Sequence, residues 1–230
     1  MTNLEFLKKH KFAVIYRHIA PEYTKDATKA LFDAGVRIFE ITFNPSSKTT
    51  IEDTTKIIKD IYEMYGDQVC VGAGTVINMD FAKAAYKAGA KFIVSPCTNK
   101  KIVKYTKKVG MLSIPGAYTP TEIMDAYEMG ADIVKIFPVT ADQIGYLKNV
   151  TGPLSHIPFL PTGGINPNTI ADFLATGAVA VAAGATIITK DLCEKGDFET
   201  IYQNAKNHLD KAHCAVYNDS CPLGNARVLE

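Results

Sequence analysis

Short apolar runs rich in β-branched residues alternate with amphipathic stretches from one end of the chain to the other. The apolar runs span residues 12–17, 37–43, 69–76, 92–96, 112–117, 133–138, 159–164 and 180–185. Each has the length of a strand, and most lack a polar alternate, the pattern of parallel strands covered on both faces. Between them apolar residues fall at helical spacing, as in Ile58, Ile61, Tyr62 and Tyr65, or Phe81, Ala84, Ala85 and Ala88. Asn78-Met79-Asp80 and Thr119-Pro120-Thr121-Glu122 carry helix-start chemistry, and Gly35, Gly89, Gly110, Gly130 and Gly177 follow helical stretches as stops.

Eight successive β-then-α units predict an α/β chain folded as a single-domain (β/α)8 TIM barrel over residues 1–213. The same alternation also suits a doubly wound open sheet, but the count of eight favours closure. Residues 214–230 lose the periodicity and read as a C-terminal tail, poorly ordered or docked.

Composition narrows the function classes. The 230 residues are 47% hydrophobic and 21% charged, with a formal net charge of +1. That excludes a disordered chain and gives no electrostatic footprint for nucleic acid. No apolar stretch reaches the roughly 18 to 20 residues of a membrane span. The first five residues carry neither the basic nor the apolar region of a signal peptide, so the cytoplasm is the expected location and no membrane partner is expected. The five cysteines, at 70, 97, 193, 214 and 221, form no CxxC and no metal-ligand spacing with the dispersed histidines. Neither metal nor cofactor is expected, and Cys70 and Cys97, in or beside apolar strands, read as small core residues.

Two charges interrupt apolar runs. Lys135 lies within Ile133-Val134-Lys135-Ile136-Phe137-Pro138, and Glu40 lies between Phe39 and Ile41. Burial disfavours an ammonium and increases the share of free amine, as a Schiff-base nucleophile requires. The competing readings are a lysine snorkelling along its own stem and a glutamate held in a buried ion pair with Arg37 or Arg17. In a barrel, catalytic groups project from the carboxyl ends of strands. Arg17, Glu40, Thr42, Thr75 and Lys135 all fall on or at the ends of predicted strands. Glycine-rich turns at 161–165 and 182–186 end the seventh and eighth strands, the usual place of a phosphate cradle. The Val71-Gly72-Ala73-Gly74-Thr75-Val76 run does not complete a GxGxxG fingerprint, since Ile77 follows; its glycines read as close packing that exposes Thr75.

Taken together, FEIT (39–42), VGAGTV (71–76), SP (95–96), IPGAYTPTE (114–122), VKIFP (134–138) and PTGGI (161–165) resemble, in order and spacing, the 2-keto-3-deoxy-6-phosphogluconate (KDPG) and 4-hydroxy-2-oxoglutarate (KHG) aldolases. The resemblance covers roughly residues 12–212 and implies a metal-independent class I aldolase on a barrel, commonly a homotrimer. It implies Lys135 as Schiff-base lysine and Glu40 as general acid/base. Thr75 would bind the pyruvate carboxylate and Phe137 line the pyruvate pocket, with Gly163, Gly164 and Gly184 at the phosphate. With Arg17, Thr42, Asn44, Thr162 and Ala185 these complete the expected substrate contacts. The expected ligands are a phosphorylated 2-keto-3-deoxy sugar acid and pyruvate.

The chain departs from the family pattern at three places. Asn44 stands where gluconate-type enzymes carry a carboxylate-gripping arginine, as in the related 2-keto-3-deoxy-6-phosphogalactonate (KDPGal) aldolases; Arg17 is the candidate to supply the charge. Ala185 replaces a phosphate-binding serine, leaving backbone donors and Thr186, and Cys97 replaces a common glycine after Ser95-Pro96. The expected activity is cleavage of KDPG to pyruvate and glyceraldehyde 3-phosphate, with unphosphorylated 4-hydroxy-2-oxoglutarate the weaker substrate. The rivals are KDPGal cleavage, a non-covalent phosphosugar isomerase or epimerase that uses Glu40 as base, and a barrel that only binds a sugar phosphate.

Overall fold

The computed structural model describes residues 1–217, with side chains through residue 212. The strands are β1 (Phe12–Tyr16), β2 (Ile38–Thr42), β3 (Cys70–Gly74), β4 (Phe92–Val94), β5 (Leu112–Ile114), β6 (Gly116–Ala117), β7 (Val134–Ile136), β8 (Phe159–Pro161) and β9 (Val181–Ala183). The helices are α1 (Asn3–His10), α2 (Thr24–Asp33), α3 (Thr50–Tyr65), α4 (Met79–Lys87), α5 (Lys100–Lys108), α6 (Pro120–Glu128), α7 (Ile144–Thr151), α8 (Ile170–Leu174), α9 (Lys190–Glu194) and α10 (Phe198–Tyr217). Residues 214–217 therefore lie in α10, and the rest of the expected tail lies outside the described residues.

All strand pairs are parallel. Six strands run in the order β5-β4-β3-β2-β1-β9 and three in the order β6-β7-β8. The result is an α/β fold with a curled parallel sheet. The predicted fifth strand, 112–117, is observed as β5 and β6 because Pro115 has no N–H to continue the ladder. Its carbonyl still accepts the Lys135 N–H at 2.9 Å. Between β8 and β9 the pairing is reduced to one bridge, Thr162 to Ala182, and a bond from Val179 N to Phe159 O at 3.0 Å.

Burial on both faces explains the unbroken apolar runs: every residue of β1, β2 and β3 is buried. The core divides accordingly. One apolar cluster lies between sheet and helices; the other joins Ala13, Ile15, Ile38, Cys70, Phe92, Ile114, Ile133, Leu160 and Ala182 on the inner face. Leu7 of α1 belongs to the inner cluster, so the first helix stoppers the interior near the strand starts. No expectation had been set for that helix. It is fixed by a capping box in which the Thr2 hydroxyl accepts from Glu5 N and Glu5 accepts from Thr2 N.

The expected helix starts are present. The Asn78 carbonyl oxygen accepts from Phe81 N at 2.9 Å to open α4, and Thr119 and Glu122 form the box that opens α6. The helix after β8 was expected near Pro167 but starts at Ile170, because Asn166 first closes a turn with Asn168 and Thr169. Cys70 is buried as expected, whereas Cys97 is exposed: β4 ends at Val94, and the chain has turned to the surface by position 97. Among the described residues no helix is long and apolar enough to cross a membrane.

Candidate active site

Side chains alternate along a strand, so Ile38 and Ile133 in the inner cluster fix the direction of their neighbours two residues on. Glu40 and Lys135 therefore both point inward. They are 3% and 5% exposed. Glu40 stands beside Gly72 in the ladder, and Lys135 between Gly116 and Leu160.

The glycines make the room. A Cβ on Gly74 would collide with Glu40 Oε1, and one on Gly72 with the Phe92 ring. The glycines of the 71–76 run thus serve close packing, and one of them reserves the space of the carboxylate. The alternative partner for Glu40 is engaged elsewhere: Arg37 donates at 2.8 Å to Phe32 O and Val36 O and lies over the Phe32 ring. Among the described residues no ion pair joins Glu40 to Arg17 or to Lys135.

Burial lowers the Lys135 pKa below the ordinary lysine value; the nearby Glu40 charge partly opposes this, and Arg17 reinforces it. Lys135 is thus held near a carboxylate in a site that disfavours its charge. Its Nζ lies 4.9 Å from the centre of the Phe137 ring, which walls one side.

A cleft of about 190 Å³ opens beside this pair, lined by Arg17, Phe137, Thr162, Gly163, Gly164, Gly184, Ala185 and Thr186, with Ile15 and Ile165 as apolar floor. Among the described residues no protein acceptor takes the N–H of Gly163, Gly164, Ala185 or Thr186. Four free amides on two turns make an anion cradle. Glycine is required here, since Gly163 has φ 112° and a Cβ on Gly184 would lie 2.8 Å from Ile15 O. Thr162, a residue of this cleft, has its Oγ1 buried without a hydrogen-bond partner, as has Thr24 on α2; an unsatisfied buried hydroxyl is uncommon in a native structure. Thr75, at the end of β3, has φ 55°, an uncommon strain for a β-branched residue and one that accumulates at functional sites.

Three expected contacts, Thr42, Asn44 and Thr75, do not line this cleft. Thr42 and Asn44 line a neighbouring hollow with Tyr16, His18 and Thr50. The Thr42 hydroxyl donates to Tyr16 O at 2.8 Å. Asn44 uses its carbonyl oxygen to accept from Ser46 N and its own N–H to bond Thr50 Oγ1, so its amide nitrogen alone stays available. Among the described residues no group of three or more His, Cys, Asp or Glu side chains is placed to hold a metal.

Residues 5–204 match the family model described as KDPG and KHG aldolase. The chain belongs to the KDPG and KHG aldolase family. Among its relatives, the KHG/KDPG aldolase of Escherichia coli (strain K12) is 31% identical over 192 residues, 83% of this chain and 87% of its own. The 2-dehydro-3-deoxy-6-phosphogalactonate aldolase of the same organism is 29% identical over 185 residues, 80% of this chain and 87% of its own. A solved structure described as native KDPGal superposes with a TM-score of 0.80 at 28% identity, covering 89% of this chain and 95% of that one. The protein is thus an aldolase, a carbon–carbon lyase.

Three features of this aldolase escaped sequence reasoning. The Thr75 backbone conformation has no residue-level signal. Ile15 was legible in principle, since it shares parity with Arg17. His208 follows Ile201 and Ala205 on the buried stripe of α10, a polar residue at an apolar position.

Proposed function

We propose that this aldolase works through an imine on Lys135 and cleaves a phosphorylated 2-keto-3-deoxy sugar acid, KDPG, to pyruvate and glyceraldehyde 3-phosphate. The observation that carries the reading is the convergence of an inward, desolvated Lys135 and an inward Glu40 beside a cradle of unpaired amides. Unphosphorylated 4-hydroxy-2-oxoglutarate fits the same chemistry but leaves the cradle unused. We read the two sheets as one closed eight-stranded (β/α)8 barrel; the Thr162–Ala182 bridge and the continuity of β5 and β6 through Pro115 support closure. By family resemblance the assembly is a cytoplasmic homotrimer.

Neutral Lys135 Nζ attacks carbon 2 of the keto acid. Glu40 donates the proton with which the carbinolamine hydroxyl leaves as water, giving a protonated imine. Glu40, now a carboxylate, takes the proton of the carbon-4 hydroxyl. The bond between carbons 3 and 4 breaks, its electron pair moves to the imine nitrogen, and the aldehyde leaves. The enamine is protonated at carbon 3 and hydrolysed, releasing pyruvate and the free amine. Thr75 and Arg17 hold the carboxylate, Phe137 walls the pyruvate moiety, and Thr162, Gly163, Gly164, Gly184 and Ala185 hold the phosphate. Water exclusion favours the steps that precede hydrolysis, because charges interact more strongly in the dry interior.

A second reading, preference for the galactonate epimer, is favoured by Asn44, whose neutral amide replaces the gluconate-type arginine, and by the KDPGal relatives. Release of pyruvate from each phosphorylated epimer tests both. Cleavage of either, abolished by Lys135→Ala in a folded protein, supports the imine reading; activity surviving that substitution overturns it. The epimer with the higher kcat/KM decides the substrate.

A further inference from the structure

The cradle is built from two turns that are far apart in the chain, and one hydroxyl lies within reach of both the other turn and α10. Thr186 Oγ1 lies 3.3 Å from Ile165 O, in the turn after β8, and 3.1 Å from His208 Nε2 on α10. His208 is 1% exposed; its ring stacks on Phe12 with centroids 5.7 Å apart, and its Nδ1 lies 2.7 Å from Asn204 O. A carbonyl only accepts, so Nδ1 carries the proton, and in the neutral ring Nε2 is the acceptor. Burial lowers the imidazole pKa, which keeps the ring neutral. The single Thr186 proton is therefore donated to His208, leaving Ile165 O a neighbour of Oγ1 at 3.3 Å and not its hydrogen-bond partner, and the 184–186 turn is pinned to a fixed point in the core.

Position 185 is alanine, so no side-chain hydroxyl there can follow an anion. The cradle depends on backbone N–H groups, whose aim is set only by the placement of each turn. We propose that His208 is a positioning residue for phosphate binding: by accepting from the Thr186 hydroxyl it anchors the 184–186 turn to α10 beside the 163–165 turn, so that the free amides of both converge on one anion. The inference rests on the assignment of this cleft to the substrate phosphate. A histidine with only a packing role would, when replaced, lower stability and affect phosphorylated and unphosphorylated substrates alike.

Inorganic phosphate, used as a competitive inhibitor of cleavage, is the probe. In His208→Leu the phosphate inhibition constant and the KM for the phosphorylated substrate rise about five- to tenfold, the loss expected when one hydrogen-bonded alignment is removed. The kcat and the KM for 4-hydroxy-2-oxoglutarate stay unchanged, and His208→Gln, which keeps an amide within the same space, recovers most of the loss. Thr186→Val, at an exposed position, raises the phosphate constant to the same extent, and the double variant loses no more than either single one. Equal changes on both substrates, additive losses, or a folded His208→Leu with wild-type phosphate inhibition would each overturn the proposal. Should His208→Leu fail to fold, an unchanged phosphate constant in Thr186→Val overturns it alone. A wild-type enzyme that cleaves substrate but is not inhibited by phosphate would instead remove the cleft assignment beneath it.

Discussion

The Glu40 carboxylate occupies the space that a side chain at Gly74 would fill. The two residues are diagonal neighbours on adjacent parallel strands, Gly72 being the ladder partner of Glu40, and a Cβ at position 74 would meet Glu40 Oε1. A glycine in a strand weakens the strand; here, at the end of β3, it is what allows a carboxylate to fold back against the inner face of the sheet. Gly74→Ala should therefore act as an active-site substitution although it adds one methyl group. With Glu40 displaced, kcat should fall about a hundredfold or more, the loss typical of a misplaced general acid/base. Steady-state kinetics on the folded variant check this, and an unchanged kcat would show that Glu40 needs no such space.

Lys135 is predicted to cost stability in proportion to its charge. Its folded pKa is lowered, so between that value and the exposed-lysine value of about 10.4 the unfolded chain binds the extra proton. In that window stability rises with pH; below the folded pKa the full penalty is present. Lys135→Met, of similar volume and without charge, should be inactive yet more stable than wild type near neutrality, by about 1 kcal/mol or more. The difference should shrink as pH rises through the lowered pKa. Urea titrations of both proteins across that range measure it, and a gap that widens with pH would contradict the burial argument.

Thr162 presents a hydroxyl with no protein partner. Replacing it by valine, close in shape, leaves no orphaned group behind. Stability should therefore hold or improve, while the KM for a phosphorylated substrate rises about fivefold or more through the lost contact. A destabilised Thr162→Val with wild-type KM would show that the hydroxyl is bonded within the protein and plays no part in binding.

Asn44 anchors a loop through its carbonyl oxygen and its own N–H, and only its amide nitrogen is left to meet substrate. Asn44→Arg should raise kcat/KM for the gluconate epimer relative to the galactonate epimer by about tenfold, the gain of a charged fork over a single neutral donor. Competition between the epimers measures the ratio directly. If the ratio does not move, position 44 does not read the substrate.

Much of this architecture was legible because its signals are local. Parallel strands buried on both faces must be apolar throughout, so eight runs stood out, and Lys135 and Glu40 stood out within them as charges without an apolar reason. The caps at Asn78 and Thr119 were legible because the bonding group lies three residues from its partner. What escaped depends on contacts between distant segments. The grouping of Thr42 and Asn44 in a separate hollow, the plugging role of Leu7, and the tie from His208 to Thr186 are products of tertiary packing. Cys97 was misjudged for the same reason: adjacency to an apolar strand does not say on which side of the turn a residue emerges.

The central claim is that Lys135 forms the covalent bond. Incubation with pyruvate and sodium borohydride, followed by peptide mass spectrometry, tests it most directly. The account predicts one reduced pyruvyl adduct, located on the peptide containing Lys135 and absent from Lys135→Met. A folded, catalytically active enzyme that yields no adduct, or an adduct on another lysine, would contradict it.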